Sequence, residues 1–104
     1  MFATIGRYEG VDVTRASEIT SKVDETLVPK LRDLPGFAGY YLIEAGNGVL
    51  SSFGLFDTRE QADESTKLVT KWIASENLEQ AIPNPAKITS GKVVAHSEHL
   101  VAVS

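Results

Sequence analysis

The segment Leu34-Pro35-Gly36-Phe37 separates a helical pattern from a strand pattern, and it constrains the fold more than any other feature of this chain. Before it, apolar residues recur every four positions, at Ile19, Val23, Leu27 and Leu31. That spacing is typical of the buried face of a helix. After it, residues 37–44 read FAGYYLIE, with apolar side chains on both faces of an extended chain. The sequence therefore predicts a helix over 14–33, a stop at Pro35-Gly36, and a strand that is covered on both sides.

Turn and capping signals define the remaining elements. Gly46-Asn47-Gly48 is typical of a tight turn, so residues 49–56 are predicted to form a strand antiparallel to 37–44. Thr58-Arg59-Glu60-Gln61 matches a capping box, which predicts a second helix. Residues 2–8 and 87–96 predict the first and last strands, and a short helical piece is expected at 77–82. Pro29 predicts a kink or a restart within the first helix.

The resulting order of elements predicts an α+β fold of the ferredoxin-like βαββαβ type. Right-handed crossovers place both helices on one face of a four-stranded antiparallel sheet. The other face carries apolar residues and would be a large exposed patch in a single copy. We therefore expect a homodimer in which two copies pair through this face as an α+β barrel. We expect a single domain over residues 1–96 and a tail over 97–104 that forms a short or exchanged strand.

The composition excludes several kinds of function. The chain of 104 residues has no cysteine, which excludes disulfides, thiolate catalysis and cysteine-ligated metals. The net charge is −4 and the basic residues are scattered, so no nucleic-acid partner is expected. No apolar run reaches the ~18 residues of a membrane span, and no secretory signal is visible, so we expect a cytoplasmic protein without a membrane partner. His96 and His99 would face opposite sides of a strand, so no metal site is expected.

The chain resembles the dimeric α+β barrel superfamily and, within it, the antibiotic-biosynthesis-monooxygenase-like proteins. The resemblance covers nearly the whole chain in element order. It is most specific at Leu34-x-Gly36-Phe37-x-Gly39 and at Trp72-Ile73-x-Ser75. Members of this group include cofactor-free oxygenases of phenols, haem-degrading enzymes and isomerases. The resemblance therefore implies a fold more specifically than it implies a reaction.

The haem-degrading branch of this group can be compared residue by residue. Its members use an Asn near the end of the first strand, a Trp on the second helix, and a later His as the iron ligand. Trp72 matches the Trp, but the Asn position falls on Gly6 and the His position falls on Ile82. Isoleucine has no donor atom that could act as an axial ligand of haem. Haem degradation by that mechanism is not expected here, and no cofactor is expected.

The resemblance implies an apolar pocket between sheet and helices for a small aromatic or enolic molecule. A few polar groups would stabilise the anion of that molecule during oxygenation or isomerisation. Trp72 is the first candidate to line the pocket, with its indole N–H as a donor. The other candidates lie on predicted strands: Arg7, Tyr8, Tyr40, Tyr41, Phe53 and Lys92. Tyr40 and Tyr41 point to opposite faces of their strand, so only one of them can line a given cavity.

Three kinds of function remain open from the sequence. The first is a small-molecule enzyme of the oxygenase or isomerase type. The second is a non-catalytic homodimer that binds a small ligand or has a structural role, which the missing Asn and His favour. The third is a module of a larger assembly that exchanges residues 97–104. Packing in the core explains Trp72 without any chemistry, and the sequence identifies no catalytic residue.

Overall fold

The computed structural model of this chain describes residues 1–97. Four strands form one antiparallel sheet: β1 (Phe2–Tyr8), β2 (Phe37–Gly46), β3 (Val49–Phe56) and β4 (Lys87–Lys92). Their order across the sheet is β2-β3-β1-β4, and every neighbouring pair is antiparallel. Helices cover one face of this sheet. The predicted ferredoxin-like α+β fold is confirmed.

The first helical region is divided into segments around Pro29. A 3₁₀ turn (Val13–Arg15) leads into α1 (Ala16–Lys22), a π-helical turn spans Val23–Leu27, and α2 covers Val28–Arg32. Pro29 lies in the first turn of α2, where a backbone N–H has no intrahelical partner to lose. Because the proline ring would clash with the turn before it in a regular helix, that turn widens into the π-helical form. The sequence predicted a kink or a restart at Pro29, and the structure has a π-helical turn just before it.

The second helix, α3 (Arg59–Ser75), begins and ends with recognisable caps. The Thr58 Oγ1 accepts the N–H of Gln61 at 3.3 Å, and the Gln61 Oε1 accepts the N–H of Thr58 at 3.1 Å. This reciprocal pair is the predicted capping box. At the other end Asn77 adopts a left-handed φ of 57°, and the N–H of Leu78 donates to the carbonyl of Ile73 at 3.0 Å. Such a bond closes a Schellman-type helix end.

Two sequence predictions are wrong near the end of the described chain. Residues 77–82 form turns rather than a helix, with one helical bond from the Ile82 N–H to the Leu78 carbonyl at 2.8 Å. The last strand ends at Lys92 instead of continuing to residue 96. It pairs only with β1, and Lys92 is the partner of Phe2, the first residue of β1. The predicted tail over 97–104 lies outside the described residues apart from Ser97.

Gly36 joins α2 to β2 at a place that excludes a side chain. Its φ is +75°, and a Cβ there would overlap the side chain of Gln61, which caps α3. We expect Gly36→Ala to lower the free energy of unfolding by about 2–3 kcal/mol, because it adds backbone strain and displaces a cap. Thermal unfolding followed by circular dichroism measures the loss. Gly91→Ala is the control, since a Cβ at Gly91 meets nothing within 4 Å; equal midpoints for the two variants would contradict this assignment.

The core lies between the sheet and the helices. Its fully buried side chains include Ile19, Leu27, Leu31, Phe56 and Leu78. Phe37 packs edge-to-face against Phe56, with ring centroids 5.8 Å apart. Within residues 1–97, no helix is both long enough and apolar enough to cross a membrane.

The opposite face of the sheet is uncovered in a single copy, and we call it the open sheet face. It is formed mainly by Ile5, Tyr41, Ile43, Phe53 and Leu55. Tyr41 pairs with Phe53 across β2 and β3, and their ring centroids are 6.3 Å apart. Tyr41 is 61% exposed and Ile43 is 53% exposed. A contiguous apolar surface of this kind is typical of a contact with another protein surface.

Candidate functional site

A cleft opens between α3 and the β1–β4 side of the sheet. Its outer part has a volume of about 360 Å³ and is lined by residues that include Thr70, Ile73 and Pro83. Tyr8, Thr66 and Ile88 line both this outer part and a smaller inner chamber of about 30 Å³ beneath α3. The two spaces therefore adjoin each other, and we call them together the α3 cleft.

Hydroxyl groups are the polar side-chain groups of the inner chamber of the α3 cleft. The hydroxyl-bearing residues that line it are Thr4, Tyr8, Tyr40, Ser52, Ser65 and Thr66. None of the residues that line the chamber is charged. The hydroxyls of Ser65 and Thr66 donate to the carbonyl of Ala62, at 2.6 and 3.3 Å, which fixes them on α3. The chamber thus offers neutral hydrogen-bonding groups in a largely apolar surrounding.

Two glycines of the sheet provide the space for this chamber. Gly6 on β1 lies opposite Ser52, and Gly54 on β3 lies opposite Thr4. A Cβ at Gly6 would lie 2.9 Å from the Ser52 Oγ, and a Cβ at Gly54 would lie 3.4 Å from the Thr4 Cγ2. Any larger residue at these positions would fill the gap between the sheet and α3. The absence of a side chain at both positions therefore sets the depth of the cleft.

Tyr8 and Tyr40 project into the chamber from the two strands that flank β3. Burial raises the pKa of both phenols, and the nearby Tyr8 raises the pKa of Tyr40 further. Both phenols therefore stay protonated at neutral pH and can donate a proton in a hydrogen bond. Within residues 1–97, neither hydroxyl makes a hydrogen bond, and no buried side-chain oxygen or nitrogen is left without a partner. Both residues line the inner chamber, so their phenols are the candidate hydrogen-bond donors there.

Trp72 is 3% exposed and lies between α3 and the first helical region. Its indole N–H donates to the Thr26 Oγ1 at 2.7 Å, and the Thr26 hydroxyl donates to the Lys22 carbonyl at 2.8 Å. Thr26 belongs to the π-helical turn, so this widened turn provides the partner of the indole. The sequence predicted this N–H as a donor to a ligand, but in the structure it donates to Thr26.

The remaining candidates from the sequence lie away from the α3 cleft. Arg7, Tyr41 and Phe53 are on the open sheet face, because alternate residues of a strand point to opposite faces. They cannot line a cavity between the sheet and the helices of the same chain. Lys92 is exposed at the end of the edge strand β4. Of the seven candidates, the structure brings only Tyr8 of β1 and Tyr40 of β2 together in the inner chamber.

The two positions that the haem-degrading branch uses for donors also border the α3 cleft. Gly6 lines its inner chamber, and Ile82, which is 8% exposed, lines its outer part. Neither side chain offers a donor atom to iron. Within residues 1–97, no three His, Cys, Asp or Glu side chains cluster as metal ligands would. His96 is exposed, and His99 lies outside the described residues.

Sequence reasoning missed most of the hydroxyl groups of the chamber. Thr4, Ser52 and Thr66 belong to three different elements, and the sheet register and the packing of α3 bring them together. The one available signal was the alternation of residues in β1, which puts Thr4, Gly6 and Tyr8 on one face. Threonine and serine are too common in strands and helices for their presence alone to indicate a site.

Solved structures of proteins with different descriptions share this arrangement of elements. NE2512 from Nitrosomonas europaea, a protein of unknown function, is 14% identical and superposes with a TM-score of 0.74 over 95% of this chain and 94% of that one. A monooxygenase from Streptomyces coelicolor, ActVA-Orf6, solved with nanaomycin D, is 12% identical with a TM-score of 0.70 over 95% and 92%. A dimeric ferredoxin-like protein from an uncultured marine organism is 15% identical with a TM-score of 0.69 over 95% and 92%.

A structure described as an antibiotic biosynthesis monooxygenase matches in the same way. This chain has the fold of the antibiotic-biosynthesis-monooxygenase-like proteins. The fold implied by the sequence resemblance is thereby confirmed. At these identities the likeness extends to the fold and not to the reaction, since one fold carries many chemistries. No protein-family model matches the chain, and no curated protein matches it.

Proposed function

We propose that this chain forms a homodimeric, cofactor-independent enzyme that oxygenates or isomerises a small aromatic or enolic molecule in the α3 cleft. The inner chamber is the observation that carries this proposal, because it combines two protonated phenols with apolar walls and no charge. A few polar groups in an apolar cleft are typical of small-molecule sites. The S. coelicolor neighbour, a monooxygenase solved with nanaomycin D, supports a small-molecule ligand on this fold.

In this proposal the ring of the ligand occupies the outer part of the cleft, between Ile73 and Ile88. Its oxygen lies at the inner end, where the hydroxyls of Tyr8 and Tyr40 donate to it and stabilise the phenolate or enolate. The chamber of about 30 Å³ is large enough for a molecule the size of water or dioxygen. In the oxygenase reaction the substrate supplies the electrons, and one O₂ converts a phenol to a quinone and water.

The homodimer in this proposal is formed through the open sheet face. Tyr41 and Ile43 are the most exposed of its large apolar side chains, and a second copy would cover them. A two-fold contact of this face with itself is self-complementary, which is the commonest way in which soluble chains pair. The neighbour described as a dimeric ferredoxin-like protein supports a dimer on this fold. The α3 cleft lies on the other face of the sheet, so this pairing leaves its entrance free.

A non-catalytic homodimer that binds a small ligand is the second candidate. It is favoured by the absence of any residue in the inner chamber that is ionised at neutral pH, so the chamber holds no general base. Binding would then use the same phenols and the same apolar walls. The two candidates differ only in turnover.

Oxygen uptake in the presence of 1-naphthol tests the proposal. We expect protein-dependent consumption of one O₂ per naphthol, without any added cofactor. Tyr8→Phe should lower kcat/KM by about 10- to 100-fold, because it removes one donor to the anion. Tyr41→Phe is the matched control, since it removes a phenolic hydroxyl from the open sheet face. Saturable binding without oxygen uptake or isomerisation would favour the second candidate, and no binding would contradict both.

A further inference from the structure

A second concavity lies on the outer surface of the protein, between α2 and α3. Its volume is about 440 Å³. Leu34, Leu68 and Trp72 contribute its apolar lining. Lysines from both sides complete it, Lys30 from α2 and Lys67 and Lys71 from α3. We call this concavity the lysine groove; it shares no lining residue with the α3 cleft.

The lysine groove carries an excess of positive charge on an acidic chain. Lys67 is paired with Glu64, whose carboxylate lies 3.5 Å from its Nζ. Lys30 and Lys71 have no carboxylate partner within 4.0 Å among residues 1–97. The chain as a whole has a net charge of −4. Two uncompensated cations therefore flank an apolar surface at one place on a negatively charged protein.

We infer that the lysine groove binds a small amphipathic anion, with an aromatic or aliphatic body and one carboxylate or sulfonate group. The apolar body would lie on Leu34 and Leu68, and the anionic group would meet Lys30 and Lys71. The positive charge of the groove favours an anionic ligand over a neutral one. The volume falls within the range of small-molecule sites, about 300–1,000 Å³.

Trp72 makes this inference directly testable, because it is the only tryptophan of the chain and it borders the groove. The probe is 8-anilinonaphthalene-1-sulfonate, an aromatic anion that accepts excitation energy from tryptophan. We expect saturable quenching of Trp72 emission by this probe. N-phenyl-1-naphthylamine has the same rings without the sulfonate, and it should bind more weakly. Raising the salt to ~1 M, where the Debye length is about 3 Å, should weaken binding of the anion alone.

Paired charge-removing variants locate the binding. Lys30→Gln combined with Lys71→Gln should raise the dissociation constant of the sulfonate about five- to ten-fold, as expected for two partly exposed charges. Lys87→Gln combined with Lys92→Gln removes the same charge from β4 and should leave the constant unchanged. Tyr8→Phe should also leave it unchanged, which separates this site from the α3 cleft. An equal effect of the two double variants, or no effect of the groove variant, would overturn the inference.

Discussion

Ile43→Lys should convert the proposed homodimer into a monomer. The substitution places a positive charge in the open sheet face, where a second copy would bury it. A buried charge without a partner costs about 3–5 kcal/mol, and a two-fold contact contains the substitution twice. We therefore expect the dimer dissociation constant to rise by at least ~10³-fold. Sedimentation equilibrium over a range of protein concentrations measures this constant.

Thr20→Lys is the control for this experiment. Thr20 is exposed on α1, on the helical side of the molecule, so the new lysine adds the same charge away from the open sheet face. We expect it to leave the dissociation constant within about two-fold of the parent value, as is usual for exposed substitutions. If Ile43→Lys dimerised as tightly as Thr20→Lys, the contact would have to lie on another surface.

Trp72→Ala should cause the largest loss of stability among single substitutions in the helical layer. The indole is 3% exposed and belongs to the central core cluster, so its removal leaves a large cavity. Truncation of a buried tryptophan to alanine lowers the free energy of unfolding by about 3–5 kcal/mol. Urea denaturation followed by far-ultraviolet circular dichroism measures the loss, because the variant has no tryptophan fluorescence. Lys71→Ala, on the exposed side of the same helix, should change stability by less than about 0.5 kcal/mol.

The hydrogen bond of Trp72 contributes to the same effect and can be separated from the packing. Thr26→Val keeps the shape of the side chain but leaves the buried indole N–H without an acceptor, which should cost about 1–3 kcal/mol. Thr26→Ser keeps the hydroxyl and should retain most of the stability. If Trp72→Ala lost no more stability than Lys71→Ala, the indole would not be a central part of the core.

The fold could be predicted from the sequence because its strongest signals are local. The capping box at Thr58, the turn at Asn47 and the stop at Gly36 each depend on a few neighbouring residues, and each is confirmed. The sequence predicted only an interruption of the first helix at Pro29, and not a π-helical turn. Proline indicates that a regular helix cannot continue, but it does not indicate which backbone form replaces it. The end of β4 was missed because it depends on where β1 begins, which is a pairing between distant parts of the chain.

The candidate site was less predictable because its groups come from several elements. Alternation along β2 separated Tyr40 from Tyr41, but only the packing of the helices shows that Tyr40 faces the cleft. The partner of the Trp72 indole is Thr26, which is 46 residues away in the sequence. No local pattern indicates that contact. The sequence therefore identified Trp72 as a candidate site residue. In the structure its N–H instead donates a hydrogen bond to Thr26 within the fold.

Amide chemical-shift mapping of the isotope-labelled protein with 1-naphthol shows whether the α3 cleft is the ligand site. We expect saturable shifts that cluster around Tyr8, Thr66 and Ile88, which line both parts of the cleft. Shifts confined to Tyr41 and Ile43 on the open sheet face, or no saturable shifts at all, would contradict it.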